Sequence, residues 1–486
     1  MRLSLALLAA LVAAPALAAD RAPNVVLIVA DDLGYGDLGC YGAKDVRTPN
    51  IDRLAKEGTR FTSFCVAQGV CTASRAAIMS GCYPNRVGMA GALNHTSTTG
   101  IHPDEQLLPE LLKAKGYATA HYGKWHLGTR PAFFPTRNGF DEWFGLPYSN
   151  DNGPLHPTVR GIPALPLYEN DTVVERDPDQ SQFTKRFTEK AVGFIKANKS
   201  KPFFLYVPHV MPHVPIFASD AFKGKSGRGL YGDVVEELDW SVGEILKSVK
   251  DNDLDRDTLV LFLSDNGPFL NYGNHAGSAA PLREGKLTTF EGGVRVPFVA
   301  RWTEKVPAGR VSDELFTGLD LLPTIAKLAG AETPKAKIDG TDLSPLLLGE
   351  KGAAGRAEFA YYSGAELHAV RSGRWKLHVP HEYLTVDGTP GKDGKPANHE
   401  KMKPNAIEES GIRGIASRHG YRVMKLELSL YDLAADPGET KNVAGEHPEV
   451  VKELLKLADE FRRDLGDSLT NTRGAGQRPA GRDTGK

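Results

Sequence analysis

Six short stretches of this chain carry residues whose types and spacing could do chemistry. Val70 to Gly81 reads Val-Cys-Thr-Ala-Ser-Arg-Ala-Ala-Ile-Met-Ser-Gly. Thr and Ser suit the cap and first turn of a helix, and Arg-Ala-Ala-Ile-Met continues it, so Cys71 is expected at a helix N-terminus. Unpaired backbone N–H groups there favour a developing anion, and Arg75 adds a permanent cation one turn in. An anionic substrate is the natural guest.

Asp31-Asp32 and Asp265-Asn266 each follow a strongly apolar run. If those runs are neighbouring strands, three carboxylates and one amide oxygen gather at one sheet edge, a cluster that is costly unless a cation neutralises it. All-oxygen donors point to a hard ion, with Ca²⁺ favoured outside the cell and Mg²⁺ the alternative. Lys124-Trp125-His126 follows a further strand. If the chain stays extended, Lys124 and His126 face one way as an anion clamp and Trp125 the other. His209 and His213 follow another strand, and the prolines of Pro212-His213-Val214-Pro215 hold the second ring as a candidate acid or base. The basic, glycine-punctuated segment 282–295 supplies Lys286 for the site, with Arg283 and Arg295 as structural partners. Alone, each stretch is an ordinary turn or surface edge; a site forms only if they meet.

Gly34-Tyr35-Gly36-Asp37-Leu38-Gly39 fits the dinucleotide fingerprint but is rejected. Two carboxylates precede it, a third lies inside it, and no helix follows before Pro49 to receive a pyrophosphate.

The elements that must position these residues alternate. Asn24 to Ala30 is a buried central strand, helices are expected at Thr48 to Glu57, after Cys71 and at Leu107 to Lys115, and Tyr117 to Tyr122 is a strand. Helix Phe183 to Ala197 leads to strand Pro202 to Val207, and helix Tyr231 to Val249 to strand Thr258 to Ser264. This is the doubly wound α/β pattern, in which ligands lie beyond the carboxyl ends of the strands. Gly145 to Pro178 reads as an irregular surface excursion. From Phe359 to about residue 470 a smaller α+β domain is expected, with short strands at Phe359 to Ser363, Ala369 to Arg371 and Trp375 to Val379 and a helix at Pro448 to Leu465. Within it His381 to Arg418 reads as a long loop, and residues 471–486 as a disordered tail.

The 486 residues, 41% of them hydrophobic, suit an enzyme with a sizeable core, and 59 basic against 60 acidic residues exclude a global field for nucleic acid or membrane. Met1 to Ala19 reads as a secretory signal ending in Ala16-Leu17-Ala18, with an N-terminal anchor the alternative. A periplasmic or secreted catalytic domain, residues 20–358, with no membrane span after cleavage, is therefore expected. The four cysteines, Cys40, Cys65, Cys71 and Cys82, match no zinc spacing, and with Cys71 reserved for chemistry at most one disulfide remains. Asn94-His95-Thr96, Asn170-Asp171-Thr172 and Asn198-Lys199-Ser200 would be glycosylation acceptors only in a eukaryote.

These motifs in this order resemble the sulfatase family, in particular its arylsulfatase A and N-acetylgalactosamine-6-sulfatase branch. The resemblance runs through Asp31-Asp32, Cys71-Thr72-Ala73-Ser74-Arg75, Gly123-Lys124-Trp125-His126-Leu127-Gly128, Pro212-His213, Ser264-Asp265-Asn266-Gly267 and Gly285-Lys286, then weakly to Leu430-Tyr431-Asp432-Leu433. Ala73 stands where the family usually has proline. The resemblance implies an alkaline-phosphatase-like, mostly parallel sheet sandwiched by helices. It also implies conversion of Cys71 to formylglycine by a separate formylglycine-generating enzyme, Ca²⁺ on Asp31, Asp32, Asp265 and Asn266, and hydrolysis of a sugar or aryl sulfate ester. Arg75, Lys124 and Lys286 would spread positive charge around the sulfate. His213 would protonate the leaving alcohol, and His126 would take a proton afterwards. Ser149 and Asp151, and His368 from the smaller domain, are implied substrate contacts. A phosphonate or phosphate ester hydrolase, or a silent glycan- or metal-binding homologue, are the competing expectations.

Overall fold

Near-continuous apolar, β-branched runs suit strands covered on both faces, and Asn24–Ala30 is such a strand, wholly buried. The structure is a computed structural model describing residues 22–483; the expected signal peptide lies outside the described residues. Asn24–Ala30 pairs in parallel with Thr258–Ser264 on one side and Phe203–Pro208 on the other. Ala118–Lys124 and Glu142–Leu146 continue the parallel set. Phe298–Arg301, Thr59–Phe61 and Arg310–Ser312 complete one edge of the ten-stranded sheet, and Pro166–Glu169 and Thr172–Arg176 the other.

Strand alternation divides the interior into two cores. Val25, Leu27 and Val29 face helices Cys71–Ser80, Leu108–Lys113 and Leu321–Leu328, while Val26, Ile28 and Ala30 face Pro49–Lys56, Phe183–Ala197 and Gly229–Asp251. The sheet is thus mixed, mostly parallel and helix-covered on both faces, an alkaline-phosphatase-like arrangement. Four antiparallel strands, Glu358–Ser363, Glu366–Ser372, Trp375–His378 and Ser429–Asp432, form the smaller sheet. Its aliphatic and aromatic side chains join the first core together with Leu454, Leu457 and Ala458 of helix Pro448–Leu465.

Three expectations of irregular chain are corrected. Gly145 to Pro178 contributes Pro166–Glu169 and most of Thr172–Arg176 to the main sheet. His381 to Arg418 is structured at both ends. His381–Thr385 pairs with Arg422–Leu426, and Gly411–His419 is a helix closed by Gly420 at φ 70°, where glycine carries no Cβ penalty. The tail is ordered through residue 483. Gly481–Arg482 pairs with Thr99–Gly100, and the Arg478 guanidinium donates to both Glu105 oxygens at 2.6 and 2.8 Å. Its polar composition reads as disorder only until those charges find partners.

Candidate active site

Register decides the site. Ala30 lies opposite Ser264 in the parallel pair, so Asp31-Asp32 and Asp265-Asn266 leave the sheet side by side, and the Asp32 N–H donates to Asp265 Oδ1 at 3.2 Å. Val29 lies opposite Pro208, after which His209 and His213 follow, and Lys124 ends the next strand. The helix begins at Cys71 after an extended Val70 that makes no side-chain cap. Thr72 and Ser74 lie within its first turn instead of capping it, and Thr72 Oγ1 accepts the Leu93 N–H. Gly267 explains part of the glycine pattern: a Cβ there would lie 1.8 Å from the Gly292 carbonyl oxygen. That close approach lays the Lys286 segment over the strand ends.

Side-chain geometry joins the six stretches. Lys286 Nζ lies 3.3 Å from Cys71 Sγ and 2.7 Å from Asp32 Oδ1, while Lys124 Nζ lies 2.6 Å from Asp31 Oδ2. Arg75 is fully buried. It donates through Nε to Asp265 Oδ2 at 2.9 Å and through Nη1 to the Lys124 carbonyl at 2.8 Å. His213 Nδ1 donates to the Val214 carbonyl at 2.6 Å, and its Nε2 faces Ser149 Oγ at 3.4 Å and Asp32 Oδ2 at 3.7 Å. His126 departs from the expected extended chain, since its φ is 63°. Its Nε2 donates to the Leu93 carbonyl at 2.8 Å, so the neutral ring has its lone pair on Nδ1, which has no partner. Asp32 at φ 68° and Leu287 at φ 72° are also left-handed. Such conformations persist in side-chain-bearing residues only where the surroundings impose them, and they concentrate at functional sites.

Burial pushes the Cys71 thiol up to about 12, outweighing Lys124 and Lys286, so the sulfur here is no thiolate nucleophile. Burial acts to raise Asp31, but Lys124, His213 and Arg75 together hold it below the ordinary value. Burial and the Asp31 charge push Asp265 up despite Arg75. Lys286 is raised well above the usual lysine range because Asp32, Cys71 and Asp31 outweigh its burial. His126 is driven well below its usual value by burial and then Lys124, which keeps the ring neutral.

Cys71, His126, Ser149, Asp151, His213 and Lys286 line one cavity of about 440 Å³. Arg75 and Lys124 do not line it but pair with carboxylates beneath its floor. His368 is a correction: it lies behind Glu366, which accepts from its Nε2 at 2.9 Å, and it stacks on His381 instead of facing the cavity. Arg283 and Arg295 are structural. Arg283 lies over Phe290 and donates to the Glu439 carbonyl, and Arg295 donates to the Thr62 carbonyl. The cavity also takes in His156 and Arg418, in segments that sequence patterning reads as loops, and His419 just beyond the second; their residue types were the only signal.

The donor set fits a hard cation. Asp31 Oδ1 and Asn266 Oδ1 are buried acceptors with no hydrogen-bond partner. Asn266 donates through Nδ2 to Asp32 Oδ1 at 2.7 Å, which commits its nitrogen and leaves the oxygen for another ligand. One ligand atom from each of Asp31, Asp32, Cys71 and His213 falls within 4.8 Å of the others. All four cysteines are free thiols, so the possible single disulfide does not form.

Residues 23–331 match the family model described as sulfatase, and residues 354–482 the one for the C-terminal region of aryl-sulfatase. The chain belongs to the sulfatase family. It is 40% identical to human arylsulfatase A over 475 residues, covering 91% of this chain and 88% of that protein. It is 40% identical to mouse N-acetylgalactosamine-6-sulfatase over 469 residues, covering 92% and 87%. Among solved structures, the PsFucS1 sulfatase from Pseudoalteromonas sp. superposes with a TM-score of 0.77 at 27% identity, covering 91% of this chain and 90% of that one. As a sulfatase the chain is a sulfuric ester hydrolase of the arylsulfatase kind, and the anionic guest expected at Cys71 is a sulfate ester.

Proposed function

We propose that this protein is an exported, Ca²⁺-dependent sulfatase in which Cys71 is the precursor of formylglycine, matured by a separate formylglycine-generating enzyme. The observation that carries the reading is the placement of Cys71 Sγ on the cavity wall, 3.3 Å from Lys286 Nζ, as a thiol that burial keeps protonated. Formylglycine at position 71 would supply a hydrated aldehyde as oxygen nucleophile, with a second hydroxyl that an ordinary thiol lacks. Asp31, Asp32, Asp265 and Asn266 would hold Ca²⁺, which would supply positive charge for an anionic ester.

The chain's own residues do the rest. Lys286 adds charge beside the reacting atom, while Arg75 and Lys124 fix Asp265 and Asp31. His213 Nε2, the ring nitrogen turned toward Ser149 and the Asp32 carboxylate, donates the proton that the leaving alcohol oxygen takes up. His126, neutral and with Nδ1 unpartnered, accepts a proton in the step that frees sulfate. Ser149 and Asp151 contact substrate from the same wall.

Export rests on the N-terminal sequence pattern; no helix of the described residues is long and apolar enough to cross a membrane. Mass spectrometry of the Cys71 peptide from the native host, with turnover of nitrophenyl sulfate and nitrophenyl phosphate, tests the proposal. The expected outcome is an aldehyde mass at position 71 and faster sulfate hydrolysis. Unmodified cysteine in an active preparation, or faster phosphate hydrolysis, would overturn it.

A further inference from the structure

The cavity above Cys71 has a wall that the reaction does not use. Helix Gly411–His419 of the smaller domain presents Ile412 and Ile415, three residues apart and so on one helical face, to the cavity, where Leu384 and Ile407 join them. Leu384 is buried and the three isoleucines are half-buried. The wall is held in place from the catalytic domain. Tyr272 Oη pairs with His419 Nδ1 at 2.8 Å, Asn271 donates to the His419 carbonyl, and Thr158 Oγ1 donates to the Arg418 carbonyl at 2.8 Å.

Carboxylates predominate around the mouth, and the Arg418 charge offsets Glu408 and Glu409 in part. Glu366, Glu408 and Glu409 line it, the last two exposed, and Asn405 Nδ2 fixes the Glu409 carboxylate at 2.9 Å. Among the described residues that line the cavity, Lys286 and Arg418 are the only lysine or arginine. Lys286 is engaged with Asp32. Arg418 turns Nη1 onto the carbonyls of Ala406 (2.9 Å) and Glu409 (2.5 Å), bracing the turn that carries the acidic rim. Beyond the reacting sulfate, the walls therefore offer apolar contact and like-charge repulsion to an anion.

Resting on the sulfate-ester reading of the site, we propose that this wall determines specificity. It accepts an ester with one sulfate on an uncharged ring, which lies against Ile407, Ile412 and Ile415, and it rejects esters bearing a second anion near the first. Apolar burial supplies the acceptance, and the exposed carboxylates of Glu408 and Glu409, only partly offset by Arg418, supply the rejection.

A matched pair of substrates tests this: naphthyl sulfate and the same ester carrying a ring sulfonate. The sulfonate makes the naphtholate a better leaving group, so a rate loss is not an electronic effect of the ring, and its salt dependence separates repulsion from bulk. The holoenzyme is expected to lose at least about tenfold in kcat/KM on the sulfonated ester, and added salt, which screens exposed charges, shrinks that loss. Glu408→Gln with Glu409→Gln should close the gap to within about threefold while naphthyl sulfate turnover stays unchanged. Ile412→Asn with Ile415→Asn should raise KM for naphthyl sulfate about tenfold with kcat held, the pattern of lost uniform binding. Equal kcat/KM on both esters, or a ratio that the glutamine pair leaves in place, overturns the specificity proposal alone. Turnover of neither ester, with aldehyde present at position 71, overturns the sulfatase reading and this proposal together.

Discussion

Two clusters of buried charge lie close together in this fold, one around Asp31, Asp32 and Asp265 and one around Lys376. In the second, Lys376 Nζ donates to the Thr289 carbonyl at 2.7 Å and to Glu291 Oε1 at 2.9 Å, and lies 3.0 Å from Glu439 Oε1. Glu439 also pairs with His378 Nε2 at 2.8 Å and accepts the Glu291 N–H at 2.6 Å. All four side chains are buried, and the two carboxyls titrate away from their ordinary range there too. Burial acts to raise Glu291, but Lys376, Arg295 and Arg371 bring it down to about 2. Glu439 is pushed up to about 7 by burial, with Lys376 opposing and the Glu291 charge adding. Displaced titration therefore does not separate a site from a structural junction. Access does. Cys71, His213 and Lys286 of the first cluster line the cavity, whereas an unpartnered oxygen does not mark it out, since Glu291 Oε2 of the second also lacks a hydrogen-bond partner. The Lys376 cluster lines no part of that cavity and joins the smaller sheet to the loop behind Lys286.

Substitutions on the two sides should therefore fail differently. The largest effect is expected from Cys71→Ala, which should remove sulfatase turnover to below detection while melting stays near that of the parent; retained turnover would break the assignment. Lys286→Met should lower kcat/KM by about a hundredfold or more, the scale of losing one pre-placed charge. A near-parental rate would move Lys286 out of the reaction. Lys376→Met leaves two buried carboxylates without their shared cation and should cost about 3–5 kcal/mol of stability in a denaturant titration. Its rate per folded molecule should stay within about fivefold of the parent. A large rate loss with unchanged stability would erase the distinction between the clusters.

Chelation followed by Ca²⁺ addition comes next. If the strand-end oxygens hold the ion, saturating Ca²⁺ at a hundred times its Kd should restore turnover and add about 2.7 kcal/mol to folding; Mg²⁺ matching it would reassign the ion. The smallest effect concerns Glu439. Its folded value near 7 lies above the ordinary glutamate value of 4.5. Its contribution to stability is thus full below about pH 4.5 and lost as pH rises through about 7. Glu439→Gln should flatten the decline of melting temperature across that window, and an unchanged slope would show that the carboxyl does not titrate there.

Some of this was legible in residue order. Asp31, Asp32, Asp265 and Asn266 stand at the ends of apolar runs, so their convergence needs only that two strands be adjacent. Arg75 was harder: its charge is evident, but its inward turn onto Asp265 depends on a carboxylate 190 residues away. His126 was placed correctly near Lys124 but for the wrong reason, because a left-handed φ, not extended chain, carries it to the cavity. Helix Gly411–His419 was missed because its charged surroundings mask two isoleucines three residues apart. Strand alternation offers His368 to the site and cannot reveal that Glu366, which accepts from its Nε2, lines the cavity in its place.

The sequence by itself determined the strands, the helix beginning near Cys71 and the chemistry of the strand ends, because short-range periodicity and a few specific motifs encode them. Only the tertiary structure decided that Ala30 pairs with Ser264, that Lys286 reaches a sulfur 215 residues earlier, and that the smaller domain closes the cavity with an apolar wall and an acidic rim. Register, close glycine approach and docking between sheets depend on surfaces that meet only after folding, and local patterns carry little trace of them.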